Sequence, residues 1–112
     1  GLTKPFGGRI ARKTMRYLDG HYVNARLTQL ASQENMSVCA LSRLIKQQTG
    51  ATFKELVQIK RFSVALRLLR TTSLPVSDVI SSVGYDNTSY FHRQFKAKYG
   101  MSPAEYRRAY NA

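Results

Sequence analysis

The chain has 112 residues, with 18 Lys and Arg against 6 Asp and Glu and a formal net charge of +12. That length fits one compact domain or two tightly joined subdomains, and a hydrophobic fraction of 43% belongs to a folded protein rather than a disordered basic tail. No apolar run approaches the roughly 18 residues of a membrane span, and no signal-peptide pattern is present.

The positive charge is not the property of one tail. Residues 1–50 carry eight basic and two acidic side chains, and residues 51–112 carry ten and four, so each half has a net charge of +6. Such a surface attracts polyanions. An anionic membrane would require a polybasic run or an exposed apolar stripe, and four consecutive Lys or Arg occur nowhere. Cys39 is the single cysteine, which excludes an intrachain disulfide and suits a reducing, cytoplasmic setting.

In chain order, residues 1–8 (Gly1 to Gly8) read as a linker or expression remnant without an initiator Met. A first helix is expected from Arg9 to Tyr22, with Ile10, Met15 or Thr14, Leu18 and Tyr22 on its apolar face. A short second helix follows, with Thr28 as its cap, Leu27 as the staple before it and Asn35 in the left-handed conformation after it. The third helix runs from about Val38 to Thr49 and stops at Gly50. Together residues 9–50 form a first subdomain.

Thr52 and Glu55 make a capping box for the longest helix, which runs to about Arg70 within a linker segment of residues 51–70. Its apolar positions, from Phe53 through Ile59 and Phe62 to Leu69, cover more than one face, as expected of a strut packed on either side. The last segment, residues 71–112, repeats the plan. A short helix covers Val76 to Val83 and ends at Gly84. Asn87 or Asp86 caps a helix from Thr88 to Tyr99, closed by Gly100, and Ser102-Pro103-Ala104-Glu105 opens the final one. No strand-like alternation competes, so the expected fold is all-α: seven helices, two helix-turn-helix subdomains and a long central linker helix.

Overlaying residues 37–50 on residues 87–100 pairs Arg43 with Arg93, Lys46 with Lys96 and Gly50 with Gly100, and superposes Leu41 on Phe91 and Ile45 on Phe95. The short helices before them match at an offset of 49, so the second turn holds one extra residue. In a helix-turn-helix the second helix is apolar behind and polar in front. Leu41, Leu44 and Ile45 supply the first back and Phe91 and Phe95 the second, while Asn35 and Gly84 make the turns. Cys39, Ser42, Arg43 and Lys46 form the first front. Ser89, His92, Arg93 and Lys96 form the second. Two such fronts, each with Arg and Lys three residues apart, point to double-stranded DNA, whose major groove admits one helix.

Arg43 and Arg93 are the expected base readers, because a guanidinium addresses guanine O6 and N7 together. Lys46 and Lys96 are expected on phosphate. His92 is a candidate for base edge or phosphate, its neutral ring keeping one N–H to donate. His21, His92 and Cys39 have no metal-ligand spacing, so no metal or cofactor is expected. There is no Gly-rich phosphate loop and no carboxylate pair, so an enzyme is not expected. A basic helical module that binds an acidic protein partner, without reading DNA sequence, is the competing class.

The run Val83-Gly84-Tyr85-Asp86-Asn87-Thr88-Ser89-Tyr90-Phe91-His92-Arg93-Gln94-Phe95-Lys96, followed by Tyr99-Gly100-Met101-Ser102-Pro103-Ala104-Glu105-Tyr106-Arg107, resembles the AraC/XylS family of bacterial transcription regulators. Leu30-Ala31, Met36-Ser37, Leu41-Ser42-Arg43, Lys46, Thr49-Gly50 and Phe53 extend the resemblance through the first unit. It implies two recognition helices in adjacent major grooves, with Val38, Cys39, Ser42 and Arg43 facing one groove and Thr88, Ser89, His92 and Arg93 the other. It also implies a cytoplasmic, nucleoid-associated regulator with a further effector-binding or dimerisation domain, and RNA polymerase as a partner if it activates. Arg61 falls at a recurring arginine of the family, expected to brace the interior. The chain departs from the pattern at Asn35 (often Gly), at Leu56 (usually aromatic) and at Ile80, where a small Ala is favoured. The larger Ile80 is expected to spread its helical hairpin unless a neighbour shrinks.

Overall fold

The computed structural model describes residues 8–111, so the expectation placed on Gly1 to Gly7 lies outside it. Those residues form seven α-helices: α1 (Arg9–His21), α2 (Leu27–Gln33), α3 (Val38–Thr49), α4 (Phe53–Thr71), α5 (Val76–Ser82), α6 (Thr88–Tyr99) and α7 (Pro103–Asn111). A 3-10 turn, Tyr22–Asn24, follows α1. The fold is all-α, a double helix-turn-helix with a long central helix. It divides within α4 into two compact units, one ending at Lys60 and the other starting at Arg61. None of the described helices is long and apolar enough to cross a membrane.

In the first unit α3 packs on α1 and α2. The core holds Ile10, Tyr17, Leu18, Leu30, Leu41, Ile45 and Leu56. The apolar face of α1 differs in part from the expected one: of the alternatives Met15 and Thr14 it is Thr14 that is buried, Ala11 and Tyr17 are buried as well, and Met15 and Tyr22 are only half-buried. Thr14 is tolerated there because its hydroxyl donates to the Ile10 carbonyl at 2.7 Å. Gly8 provides no side chain to cap α1. The amide of Ala11 instead donates to Oε1 of Gln48, on α3, at 2.8 Å.

The second helix starts earlier than the sequence suggests. Leu27 is its first residue and Arg26 its N-cap, so Thr28 caps nothing and Leu27 is no external staple. Tyr17 holds this entry: its hydroxyl accepts from the Arg26 amide at 3.0 Å and lies 2.6 Å from Gln29 Oε1.

In the second unit Phe62, Ala65, Leu69, Val79, Ile80, Val83, Phe91 and Phe95 are buried. Phe62 is the hub, with ring centroids 5.1 Å from Phe91, 6.1 Å from Phe95, 6.1 Å from Tyr99 and 5.9 Å from Tyr85. Arg107 Nε donates to the Leu69 carbonyl at 3.1 Å, and Arg70 donates to the Tyr106 hydroxyl at 3.0 Å, which ties α7 to the end of α4. Ile59 of α4, one of the apolar positions expected to pack, is 47% exposed.

The two long caps are reciprocal. The Thr52 amide donates to Glu55 Oε1 at 3.0 Å while Thr52 Oγ1 accepts from the Glu55 amide at 3.1 Å, and Ser102 and Glu105 repeat this at 2.9 and 3.1 Å. The backbone amides of Thr52 and Ser102 hold the Glu55 and Glu105 carboxyls below the usual glutamate range. A folded-state value below the unfolded one stabilises the fold at pH above the ordinary glutamate pKa of about 4.3, and this contribution disappears as pH falls through the lower folded value. The double variant Glu55→Gln/Glu105→Gln keeps the capping acceptors and loses the titration. Its urea midpoint should lie below that of the parent at pH 7, and the gap should close as pH falls through the lowered folded-state values of Glu55 and Glu105. A gap independent of pH would show that the carboxylate charges contribute nothing.

Candidate nucleic-acid interface

Both helix-turn-helix turns are built the same way. Asn35 has φ of 54° and Gly84 of 105°, the left-handed region in which Asn and Gly are least penalised. The Asn35 amide donates to the Ser32 carbonyl (3.2 Å) and the Met36 amide to the Ala31 carbonyl (2.9 Å). Gly84 to Ser81 (3.1 Å) and Tyr85 to Ile80 (3.2 Å) repeat the pair. This is the helix-closing arrangement in which a left-handed residue reverses the chain. Ser37 then caps α3 by accepting from the Ala40 amide at 3.1 Å, and Asn87 caps α6 by accepting from Tyr90 at 2.9 Å. Asn87, rather than Asp86, is therefore the cap. Gly50 and Gly100 end the two helices in the left-handed region, at φ of 79° and 75°.

These ends fix which face of each helix is free. Leu41 and Ile45 of α3 and Phe91 and Phe95 of α6 are fully buried. On the opposite faces Val38, Cys39, Ser42, Arg43 and Lys46 are exposed, as are Thr88, Ser89, His92, Arg93 and Lys96. Each front presents an Arg and, three residues on, a Lys.

Two side chains are engaged in ways the sequence did not indicate. Lys46 Nζ donates to the Gly50 carbonyl at 3.1 Å, beside the negative end of α3. His92 Nδ1 lies 2.8 Å from the Thr88 carbonyl. A carbonyl only accepts, so Nδ1 carries the proton, and in the neutral ring Nε2 is an acceptor. The neutral ring's one N–H is taken by its own helix.

Arg61 is half-buried, its guanidinium 5.1 Å from the Tyr85 ring centroid, a cation–π placement. Beside the α3 front, Val38, Cys39, Ser42, Arg43, Lys46 and Thr52 line an open depression of about 490 Å³. Among the described residues no group of three or more His, Cys, Asp or Glu is placed to hold a metal ion.

Two braced helices per turn, apolar behind and cationic in front, define a double helix-turn-helix domain. A helix-turn-helix domain family model matches residues 30–109. The arabinose operon regulatory protein of Escherichia coli is 33% identical over 108 residues, covering 95% of this chain and 37% of that protein. Two solved structures are similar. The C-terminal domain of AraT, a response regulator from Geobacillus stearothermophilus, has a TM-score of 0.78 and 33% identity, over 97% of this chain and 88% of that one. The DNA-binding domain of AdpA, a global transcriptional factor in complex with a target DNA, has a TM-score of 0.79 and 27% identity, over 90% and 91%. The chain belongs to the AraC/XylS family of helix-turn-helix proteins. It spans a little over a third of the length of the arabinose regulator that it matches.

Proposed function

We propose that this chain binds double-stranded DNA sequence-specifically and regulates transcription, with α3 and α6 entering adjacent major grooves. The observation that carries this reading is the recurrence of one exposed Arg–Lys pair, Arg43 with Lys46 and Arg93 with Lys96, on the free faces of two helices whose backs are buried. The similarity to a domain bound to its target DNA and to an operon regulator supports it. In the cell it acts on the nucleoid, in the cytoplasm, as part of a longer protein whose further domain binds an effector or dimerises. RNA polymerase is its partner if it activates. Val38, Cys39, Ser42 and Arg43 face one groove. Thr88, Ser89, His92 and Arg93 face the other, where neutral His92 offers an acceptor to an exocyclic amine of adenine or cytosine. Lys46 and Lys96 contact phosphate.

Selection from randomised duplex DNA, followed by competition binding across salt concentrations, tests the reading. A two-segment motif should emerge, and the plot of log affinity against log salt should be steeper than about two, since each neutralised phosphate contributes close to one unit. A nearly flat plot, or equal affinity for every duplex and for generic acidic polymers, would favour the acidic-partner module.

Reading and holding then separate by mutation. Arg43→Ala or Arg93→Ala should each cost about 1–3 kcal/mol on the selected site and relax discrimination at one base pair. Lys46→Ala or Lys96→Ala should weaken selected and random DNA alike and lower the salt slope by about one. Arg43→Ala should erase most readout of its half-site, because its neighbours are short. Arg93→Ala should leave more, through Thr88, Ser89 and His92. Uniform loss across all sequences in Arg43→Ala would make Arg43 a phosphate clamp.

A further inference from the structure

The two fronts share their cations and differ in what surrounds them. Around Arg93 stand Thr88, Ser89 and His92, each with a hydrogen-bonding group. At the equivalent positions around Arg43 stand Val38, Cys39 and Ser42. Val38 is 40% exposed, and Cys39 is exposed on the same face. A valine this exposed at the first position of a helix leaves apolar surface on the front face. With Cys39 it supplies the apolar part of the lining of the open depression of about 490 Å³, whose polar part is Ser42, Arg43, Lys46 and Thr52. Cations in the lining attract an anionic partner, and its apolar part fits an apolar group within that partner. In the major groove one base carries such a group at its edge: thymine, through its C5-methyl.

We infer that α3 reads the C5-methyl group of a pyrimidine through Val38 and Cys39, beside the base addressed by Arg43. This rests on the DNA-binding reading above and specifies what the first front selects. Arg43 supplies two donors, for acceptors on a guanine edge, and Val38 with Cys39 supplies an apolar contact that a methyl makes and a polar edge does not. Cytosine methylated at C5 presents the same group at the same place. The first front therefore distinguishes 5-methylcytosine from cytosine, which makes binding responsive to DNA methylation, whereas the hydroxyl-rich second front responds less.

The test uses the duplex recovered by selection, with its α3 half identified as the half whose discrimination is lost in Arg43→Ala. Each thymine there is replaced by deoxyuridine, which removes one methyl and keeps every hydrogen-bonding group. At one position affinity should fall about fourfold, the equivalent of leaving one methyl unburied. Cytosine at that position should bind more weakly than 5-methylcytosine. In Val38→Ser/Cys39→Ser the uracil and thymine duplexes should bind equally. That variant preserves the fold, because Thr88 and Ser89 occupy the same helix positions in α6, and unchanged circular dichroism and urea midpoint check this. Equal affinity of the parent for thymine and uracil duplexes throughout the α3 half, with sequence preference intact, overturns the methyl reading and leaves the proposed function standing. Loss of thymine discrimination on both fronts alike also overturns it. Absence of preference among any duplexes overturns both.

Discussion

Phe62→Ala is expected to destabilise the second unit by about 3–5 kcal/mol, as deletion of a buried aromatic does when its surroundings cannot collapse into the space. The side chain is 1% exposed, and its ring lies within about 6 Å of four other aromatic rings. Edge-on pairs with Phe91, Phe95 and Tyr99 add to the burial. Phe91 and Phe95 are the back of α6, so the cavity opens beneath the second front. Urea unfolding followed by circular dichroism should show the loss. Amide exchange should show protection falling most in α5, α6 and α7. Phe62→Leu, which refills part of the space, should recover a large fraction. A loss below about 1 kcal/mol for the alanine variant would mean that Phe62 is not the centre of this core.

Ile80→Ala is expected to cost about 2–5 kcal/mol. Its residue number aligns with Ala31 of the first unit at the offset of 49, and both carbonyls accept the amide that closes the turn. One hairpin therefore contains alanine where the other contains isoleucine. The adjacent position is smaller, Val79 standing where the first unit has Leu30, which offsets one of the three carbons that isoleucine adds to alanine. Ile80 and Val79 are both fully buried, and the turn hydrogen bonds remain intact at 3.1 and 3.2 Å. The isoleucine is thus accommodated, and truncating it to match the family pattern leaves a hole. A neutral or stabilising result would identify overpacking instead.

The elements legible in the sequence were those whose partners lie a few residues away. Asn87, Thr52 with Glu55 and Ser102 with Glu105 cap at a spacing of three, and Asn35 and Gly84 reverse the chain within five residues. The repeat was legible for the same reason, and it extends beyond Gly50 and Gly100: Thr52 and Glu55 align with Ser102 and Glu105 at the offset of 50 that relates α3 to α6. The front faces followed from helical periodicity once the backs had been assigned.

Where distant residues compete, local pattern was insufficient. Thr28 has the chemistry of a cap, yet α2 begins at Leu27, because Tyr17, nine residues before Arg26, takes the Arg26 amide and brings the chain into the helix two residues sooner. The start of α1 is capped by Gln48, thirty-seven residues from Ala11, for which no spacing rule exists. Ile59 reads as core by composition and is exposed by its angle on α4. His92 is a different case: its partner is local, but whether the ring turns back to the Thr88 carbonyl depends on a rotamer, which residue type does not specify.

By itself the sequence determined the all-α class, the two-fold internal plan, the turns and the cationic composition of both fronts. Each of these follows from backbone preference, capping within a turn, or charge, and such forces act over three to five residues. Only the tertiary structure decided which residue begins α2, which side chain caps α1, that Phe62 joins the aromatic core of the second unit, and that His92 Nδ1 turns to the Thr88 carbonyl. The first three depend on groups brought together from distant parts of the chain. The last depends on one torsion angle, and these are the quantities that packing selects among alternatives of nearly equal local energy.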